Sequence, residues 1–392
     1  METREAAPDP FSADDHRWMG QALALARQGI GHSQPNPAVG AVVVRDGQVV
    51  GQGFHRRAGE PHAEVLALRE AGEGARGATL YVTLEPCSHQ GRTPPCTEAI
   101  LAAGIQRVVV AARDPNPRVA GGGIERLRQA GITVDVGLRA AESEAINPWF
   151  PTYIHLGRPW VHLKLASTLD GRLAARTGDA RWITSPAARQ EVHWLRHSSG
   201  AVMVGAGTVR IDDPALTVRD VEPPGGIHQP WRVVVSRRLQ LPLHAQLVTS
   251  AGAIPTVVAT GPDASPATER ELLARGVQVW RLPPDPASPG TGLDLQALLR
   301  RLGEAEIASV LVEGGSRLAA ALLEQGLVDW VSWYVAPRIL GDPGGVPAVA
   351  GHPKDRLAEG WRLEPGRVRR VGSDVVFEGV PVRAAEASPA AS

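Results

Sequence analysis

Four residues in the first part of the chain have the types and spacing of a catalytic metal site: His62, Glu64, Cys87 and Cys96. A catalytic Zn²⁺ takes three protein ligands and keeps a fourth position open, and one imidazole with two thiolates forms such a set. Glu64 lies two positions after His62, close enough to face the open position and transfer protons without being a ligand. The pattern predicts an activated water that displaces an amino group from a base.

The chain has only two cysteines in 392 residues, and both fall in this pattern. Two buried thiols or a disulfide are alternative interpretations, because cysteine is often simply buried or paired. The order His-x-Glu and then Pro-Cys favours zinc. A structural zinc site is a third alternative, but such a site fills all four positions and has no use for Glu64. Eight residues, 88–95, separate the thiols, whereas two are usual in zinc deaminases.

Length and charge limit the classes of function. A chain of 392 residues predicts two domains. The equal numbers of basic and acidic residues, 41 of each, favour a small-molecule substrate over a nucleic acid. No run of 18 apolar residues is present, which predicts no membrane span, and the first residues lack the apolar core of a secretory signal. Together with unpaired thiols, these features predict a cytoplasmic protein.

The elements that would carry the four residues alternate between helix and strand. A helix should begin at Pro61 or His62, and Cys96 should open another that ends at Gly104. The metal would then lie between two helix N-termini, whose partial positive charge favours thiolates. The apolar pattern indicates helix 14–28, strands 39–44 and 49–54 joined across Asp46-Gly47, strand 80–84, helix 97–103, strand 107–111, helix 124–129 and strand 132–136. This order predicts an α/β domain, residues 12–147, with a largely parallel sheet.

A second α/β domain is predicted over residues 158–380, after the pattern restarts near 147–151. The turn 313–316 follows an apolar strand and opens a helix, so its backbone could bind a phosphate, although a plain turn is the alternative. Neither this turn nor 205–208 has the Gly-x-Gly-x-x-Gly spacing of a standard Rossmann domain. Strands are predicted at 160–166, 201–204, 231–235, 256–259, 277–281, 309–312 and 331–335, and helices at 185–196, 268–275, 293–302 and 316–325.

Several stretches resemble the bifunctional riboflavin-biosynthesis deaminase-reductase family. They are Asn36-Pro37, His55, and the segments 59–64, 83–96 and 114–117. The long spacing between the thiols belongs to that family's pattern, which distinguishes it from tRNA and cytidine deaminases. The resemblance extends over about residues 14–380.

The resemblance implies an α/β fold: a cytidine-deaminase-like zinc domain followed by a dihydrofolate-reductase-like domain, with Zn²⁺ and NADPH as cofactors. It implies hydrolytic deamination of 2,5-diamino-6-(5-phosphoribosylamino)pyrimidin-4-one. Reduction of the ribosyl side chain would then give 5-amino-6-(5-phosphoribitylamino)uracil. It also implies a homo-oligomer, a dimer or a tetramer. The alternative is a nucleobase or tRNA zinc deaminase with a degenerate second domain.

The resemblance also implies roles for single residues. Zinc ligation falls on His62, Cys87 and Cys96, and proton transfer on Glu64. Substrate contacts fall on Asn36, His55, Ala180, Arg196, Asp212, Leu216, Arg219 and Glu313. NADPH contacts fall on Ala166, Trp182, Thr208, Asp212, Ser236, Gly315, Ser316, Arg317, Leu318, Ala319, Ala320 and Ala321. Of the substrate contacts, Arg196 and Arg219 are expected to clamp the ribose phosphate, because guanidinium groups bind phosphate bidentately.

Overall fold

The computed structural model describes residues 9–91, 94–117, 119–288, 290 and 292–383. The chain divides into two compact units. The first runs to Leu156 and includes Pro223–Gly226, and the second comprises Gly157–Glu222 and the chain from Ile227 onwards. Within the described ranges, no helix has the length and apolarity that crossing a membrane requires.

The first unit alternates helices and strands much as the apolar pattern predicts. Its elements are α1 (Ala13–Arg27), β1 (Gly40–Arg45), β2 (Gln48–Phe54), α2 (Ala63–Ala71), β3 (Thr79–Leu84), α3 (Cys96–Ala103), β4 (Arg107–Ala112), α4 (Gly122–Gln129), β5 (Thr133–Val136), α5 (Ala140–Ile146) and α6 (Phe150–Leu156). The helix α6 follows the predicted end of the first domain and belongs to the first unit.

The sheet of the first unit has the strand order β2-β1-β3-β4-β5. The strand β1 pairs antiparallel with both β2 and β3, while β3, β4 and β5 are parallel to one another. The expectation of a largely parallel sheet is therefore wrong. The reason is the tight turn at Asp46-Gly47, where both residues have positive φ. This turn folds β2 back along β1, so β1 has an antiparallel neighbour on each side.

Close backbone contacts fix the helices of the first unit against this sheet. A Cβ atom at Gly40 would lie 2.1 Å from the Ala22 carbonyl oxygen of α1. A Cβ atom at Gly51 would lie 2.2 Å from the Ala67 carbonyl oxygen of α2. Only glycine permits these approaches. The helix α2, which follows His62 and contains Glu64, is thereby held against β2.

The second unit contains the remaining helices and strands. They are β6 (Trp160–Ser167), β7 (Arg172–Ala174), α7 (Pro186–His197), β8 (Ala201–Gly205), α8 (Ala206–Asp212), β9 (Trp231–Val235), α9 (Gln246–Thr249), β10 (Thr256–Thr260), α10 (Pro266–Leu273), β11 (Gln278–Arg281), α11 (Leu295–Glu304), β12 (Ser309–Glu313), α12 (Ser316–Glu324), β13 (Trp330–Val335), β14 (Val346–Pro347), β15 (Trp361–Val371) and β16 (Asp374–Arg383).

Nine of these strands form one sheet in the order β11-β10-β9-β8-β12-β6-β13-β16-β15. The first seven strands in this order are parallel, and β16 and β15 add an antiparallel hairpin at one edge. Two hydrophobic clusters cover the sheet. The chain passes from β6 to β8 and returns later to place β12 between them, which creates a switch point. Ligands of open α/β sheets bind at the carboxyl ends of strands at such a point.

Candidate active sites

Three metal-ligand atoms converge where α2 and α3 begin. His62 is the N-cap of α2, and Cys96 is the first residue of α3. Cys87 follows the end of β3 by three residues. The Nδ1 atom of His62 lies 3.2 Å from Cys96 Sγ and 3.7 Å from Cys87 Sγ. All three donor atoms lie within 4.8 Å of one another.

This donor set fits a tetrahedral Zn²⁺. With Zn–N near 2.0 Å and Zn–S near 2.3 Å, donor atoms around one ion lie roughly 3.5–3.8 Å apart. The distances from His62 to the two sulfur atoms are close to that range. The set supplies three ligands, which leaves a fourth position as catalytic zinc requires. The assignment of His62, Cys87 and Cys96 as ligands remains a prediction that this geometry supports.

The two thiols share one proton when only protein groups are present. The Cys96 thiol lowers the pKa of Cys87 to about 4, and the His62 side chain lowers it further. The backbone N–H of Cys96 donates to Cys87 Sγ at 3.3 Å, which also favours the thiolate. The Cys87 thiolate, together with burial, raises the pKa of Cys96. Metal binding to such a pair releases the shared proton.

Glu64 is buried beside the thiols. Burial raises the pKa of its carboxyl group, which accepts a hydrogen bond from the Cys96 side chain. A carboxylate with a raised pKa in a closed site can both accept and return a proton near neutral pH. This placement agrees with the proton-transfer role predicted from the sequence.

Asn36 and His55, the two predicted substrate contacts of this domain, are joined to each other. His55 Nδ1 lies 3.2 Å from the Pro61 carbonyl oxygen and donates to it. Its Nε2 atom then accepts from Asn36 Nδ2 at 3.0 Å. Burial lowers the pKa of His55, which keeps the ring neutral for this arrangement. The ring centre of His55 lies 5.1 Å from that of His62, so His55 borders the metal ligands and Asn36 is joined to them through His55.

Glu85 is a further buried carboxylate that the sequence did not reveal. Its two oxygens accept four backbone N–H groups, from Asp114, Gly121, Gly123 and Ile124, at 3.1–3.3 Å. Glu85 precedes Cys87 by two positions, so this carboxylate fixes the loop between β4 and α4 against the metal-binding segment. Its partners lie 29 to 39 residues away in sequence, which leaves no local pattern to detect.

The second unit contains a cavity of about 840 Å³ at the carboxyl ends of β8, β9 and β12. Its lining includes one predicted substrate contact, Ala180, and Asp212, which was predicted to contact both ligands. It also includes seven predicted NADPH contacts: Thr208, Ser236, Gly315, Ser316, Arg317, Leu318 and Ala321. The structure thus brings together residues that are distant in sequence.

Several predicted contacts do not line this cavity. Ala319 and Ala320 are buried on the core side of α12, whereas residues 315–318 and Ala321 line the cavity. Leu216 is buried in the core beneath β8 and β9. Trp182 is exposed and stacks on Arg189 with the guanidinium 4.6 Å from the ring centre. Ala166 packs beside Tyr334.

The two arginines of the predicted phosphate clamp lie outside the lining of this cavity. Arg196 donates from Nε and Nη2 to both oxygens of Glu313, at 2.5 and 2.8 Å, and from Nη1 to the Thr217 carbonyl. Three of its five N–H groups thus have partners in the protein. Arg219 is exposed, and its Nε atom lies 3.6 Å from Asp220 Oδ2.

Lys164 is a partly buried charged residue that no sequence pattern indicated. The register of β6 against β12 places it beside Glu313. Burial lowers the pKa of Lys164, while Glu313 opposes that shift. The signal in the sequence is weak, because Lys164 lies in a strand that also contains the polar residues His162 and Ser167. Lys164, Arg196 and Glu313 form a charged cluster next to Gly314, which lines the cavity.

The glycines after β12 fit a dinucleotide. Gly314 and Gly315 have φ of 66° and 86°, which L side chains rarely adopt. A Cβ atom at Gly315 would lie 3.5 Å from Thr208 Oγ1. It would therefore occupy the space between the turn 313–316 and the turn 205–208. The helix α12 begins directly after these glycines. The turn can therefore present backbone N–H groups to a pyrophosphate.

The fold and the two sites define a two-domain enzyme: a zinc deaminase domain followed by a reductase domain. Two protein families match the chain accordingly. The cytidine and deoxycytidylate deaminase zinc-binding region matches residues 12–112. The RibD C-terminal domain matches residues 159–377.

Similar proteins cover nearly the whole chain. The riboflavin biosynthesis protein RibD of Aquifex aeolicus is 45% identical over 363 residues, 93% of this chain and 97% of that protein. The RibD of Escherichia coli is 46% identical over 374 residues, 92% of this chain and 98% of that protein. The crystallised RibD of Acinetobacter baumannii, form 1, has a TM-score of 0.81 at 40% identity, covering 94% of this chain and 99% of that one.

The chain belongs to the RibD family of riboflavin biosynthesis proteins. It is a bifunctional enzyme with a zinc-binding deaminase domain and, after it, a reductase domain of the NADPH-dependent kind. The nucleobase or tRNA deaminase with a degenerate second domain is not favoured, because the second unit matches the RibD C-terminal domain throughout and keeps a formed cavity.

Proposed function

We propose that the first domain removes the 2-amino group of 2,5-diamino-6-(5-phosphoribosylamino)pyrimidin-4-one. The second domain then reduces the ribosyl side chain to ribityl, which gives 5-amino-6-(5-phosphoribitylamino)uracil. The observation that carries this proposal is the convergence of His62, Cys87 and Cys96 around the buried Glu64. A 36% identical protein from Thermotoga maritima, crystallised as a diaminohydroxyphosphoribosylaminopyrimidine deaminase/5-amino-6-(5-phosphoribosylamino)uracil reductase, supports the substrate.

In the deaminase domain, Glu64 handles the protons. When bound, Zn²⁺ supplies a water of lowered pKa as the nucleophile. Glu64 accepts a proton from the attacking water and delivers it to the ring nitrogen. It then takes the proton of the newly added hydroxyl group to the departing amine, so that ammonia leaves and a carbonyl group forms. Asn36, oriented by its hydrogen bond to His55 beside the metal ligands, can hold the pyrimidine against them.

In the reductase domain, NADPH supplies a hydride when bound. The Gly314-Gly315 turn and the N-terminus of α12 hold its pyrophosphate. Asp212 and Ala180 line the same cavity and can contact the sugar of the substrate. Arg196 and Glu313 hold each other in an ion pair, and Arg196 with Arg219 can contact the ribose phosphate of the substrate.

We also propose a cytoplasmic homo-oligomer, a dimer or a tetramer. The edge hairpin β15–β16 supports it, because Val368, Phe377 and Val380 are exposed apolar side chains on those strands. Light scattering coupled to gel filtration tests this proposal, and a monomer at micromolar concentration contradicts it.

The direct test of the two reactions is mass detection of products from the diaminopyrimidine phosphate. Without NADPH we expect loss of the amino group and release of ammonia, and with NADPH we expect the further gain of two hydrogens. A zinc chelator should stop the first reaction and leave reduction of the deaminated intermediate intact, because all three proposed ligands lie in the first unit. Normal ammonia release from chelated, metal-free protein contradicts the metal assignment.

A further inference from the structure

We propose that Arg237 binds the 2′-phosphate of NADPH and thereby sets the preference of this enzyme for NADPH over NADH. The inference deepens the proposed reductase function and rests on it. It identifies a phosphate subsite at the far side of the cavity from the charged cluster of Lys164, Arg196 and Glu313.

The position of Arg237 follows from the strand order. β9 ends at Val235, and Arg237 follows it at the carboxyl edge of the sheet. β9 is separated from β12 by β8 alone. Neighbouring strands lie roughly 4.8 Å apart, so β9 lies about 10 Å from β12, which ends at the Gly314-Gly315 turn. That separation suits the part of a dinucleotide that extends from its pyrophosphate to the phosphate on its adenosine ribose.

The direction of the cofactor follows from the other side of β12. There β6 carries Lys164 beside Glu313, and the inference places the reacting ribose of the substrate next to this charged cluster. The nicotinamide must reach that side to deliver its hydride. With the pyrophosphate at the Gly314-Gly315 turn, the adenosine half then extends in the opposite direction, towards β9 and β10.

The side chain of Arg237 is prepared for an anion. It lines the cavity and is 22% exposed. Its Nη2 atom lies 3.4 Å from Asp263 Oδ2. Its Nε atom is buried and has no hydrogen-bond partner among the described residues. A buried N–H group without an acceptor is unfavourable, and a phosphate oxygen supplies the missing acceptor where a 2′-hydroxyl offers a weaker one.

The charge of the surrounding wall favours a phosphate. Among the described residues that line the cavity, four are arginines and two are aspartates: Arg210, Arg237, Arg238, Arg317, Asp212 and Asp285. The other three arginines are exposed, so water screens their charges and solvates their N–H groups. Arg237 is the one whose guanidinium is partly buried and incompletely bonded, which makes it the specific contact.

Cofactor binding tests the inference without measuring turnover. We would titrate the full-length parent, Arg237→Met and Arg237→Lys with NADPH and with NADH by isothermal calorimetry. Arg270→Met is the matched control, because Arg270 is exposed on α10 and lies outside the cavity. Adenosine 2′,5′-bisphosphate and 5′-AMP serve as probes of the subsite alone.

We expect Arg237→Met to raise the Kd for NADPH by about 10–100-fold and to leave the Kd for NADH within about twofold. Arg237→Lys keeps the charge but loses the bidentate fork, so an intermediate loss is expected. The parent should prefer the bisphosphate to 5′-AMP, and Arg237→Met should lose that preference. Arg270→Met should behave as the parent.

An equal loss of affinity for both cofactors in the two Arg237 variants would show a structural role and overturn the inference. An unchanged ratio of NADPH to NADH affinity in both variants would overturn it as well. A parent that binds both cofactors equally well rules out a selective phosphate subsite but leaves the reductase function standing. A parent that binds neither cofactor overturns the reductase function and the subsite together.

Discussion

Glu85→Gln is the substitution whose effect follows most directly from the structure of the deaminase domain. Each carboxylate oxygen of Glu85 accepts two backbone N–H groups, one pair from Gly123 and Ile124 and the other from Asp114 and Gly121. A glutamine has the same shape but only one acceptor oxygen. Its NH₂ group must therefore face two N–H donors, whichever way the amide is turned.

The size of the effect can be calculated from these four bonds. Two hydrogen bonds to a charged group are lost, and each contributes about 1.5–3 kcal/mol. The loop between β4 and α4 should thus lose about 3–6 kcal/mol of local stability. Because each 1.4 kcal/mol is a factor of about ten, its amides should exchange with solvent at least about 100 times faster.

Hydrogen exchange measured by mass spectrometry on peptides spanning 119–127 reports this change directly. Metal content and reductase activity, measured on the same sample, show whether the rest of the protein is intact. Glu144→Gln is the control, since Glu144 is exposed on α5 and its substitution should change local stability by less than about 0.5 kcal/mol. Exchange in 119–127 that is as slow in Glu85→Gln as in the parent would refute the reasoning.

Three further changes have defined outcomes. Glu64→Gln should lower the kcat of the deaminase at least about 100-fold while the zinc content, measured by atomic emission, stays normal. Near-normal turnover would contradict the role of Glu64 in proton transfer. Gly315→Ala places a methyl group 3.5 Å from Thr208 Oγ1 on a residue with positive φ. Titration should show that the affinities for NADPH and NADH both fall, equally and at least about tenfold. Unchanged affinity contradicts the pyrophosphate site. Burial lowers the pKa of His162 to about 4, below its unfolded value of 6.5, so neutral His162 is favoured and its protonation destabilises the fold as pH falls. The free energy of unfolding should drop by about 3 kcal/mol from this group between about pH 7 and about pH 4, and urea titrations of His162→Gln should show a flatter dependence on pH.

The metal site could be predicted from the sequence because its chemistry is carried by local features. His62 and Glu64 lie within one turn at the start of α2, and the two thiols flank a single loop. The capping and turn residues that begin and end these elements are also local, so the strands and helices around the site were predicted to within a few residues. The antiparallel pairing of β1 with β2 follows from the predicted hairpin, but the pairing of β1 with β3 was not predicted, because sheet order depends on which strands pair across the whole domain.

The reductase domain shows where local features are insufficient. The edge hairpin β15–β16 was not predicted, since β15 is rich in arginine, contains Pro365 and Gly366, and is largely exposed. The helix α8 was read as a turn because it is short and begins with Ala206-Gly207. All residues of 315–321 are predicted to contact NADPH, whereas the helical period of α12 points the side chains of Ala319 and Ala320 towards the core.

The two arginines Arg196 and Arg237 show why the sequence alone does not reveal which arginine has hydrogen-bonding capacity left for a phosphate, whether that of the substrate or the 2′-phosphate of NADPH. Each is a cation near a strand end or a helix end, and each could bind a phosphate with the same fork of donors. What separates them is whether those donors already have partners. The partner of Arg196 is Glu313, 117 residues away, and the pair is buried, so this guanidinium is held by the protein itself. Arg237 has one long contact with Asp263 and a buried Nε without an acceptor, so part of its hydrogen-bonding capacity is directed at the cavity. The donor that the folded chain leaves unsatisfied therefore supports the proposal that Arg237 contacts the 2′-phosphate of NADPH, which is a different ligand group from the ribose phosphate of the substrate.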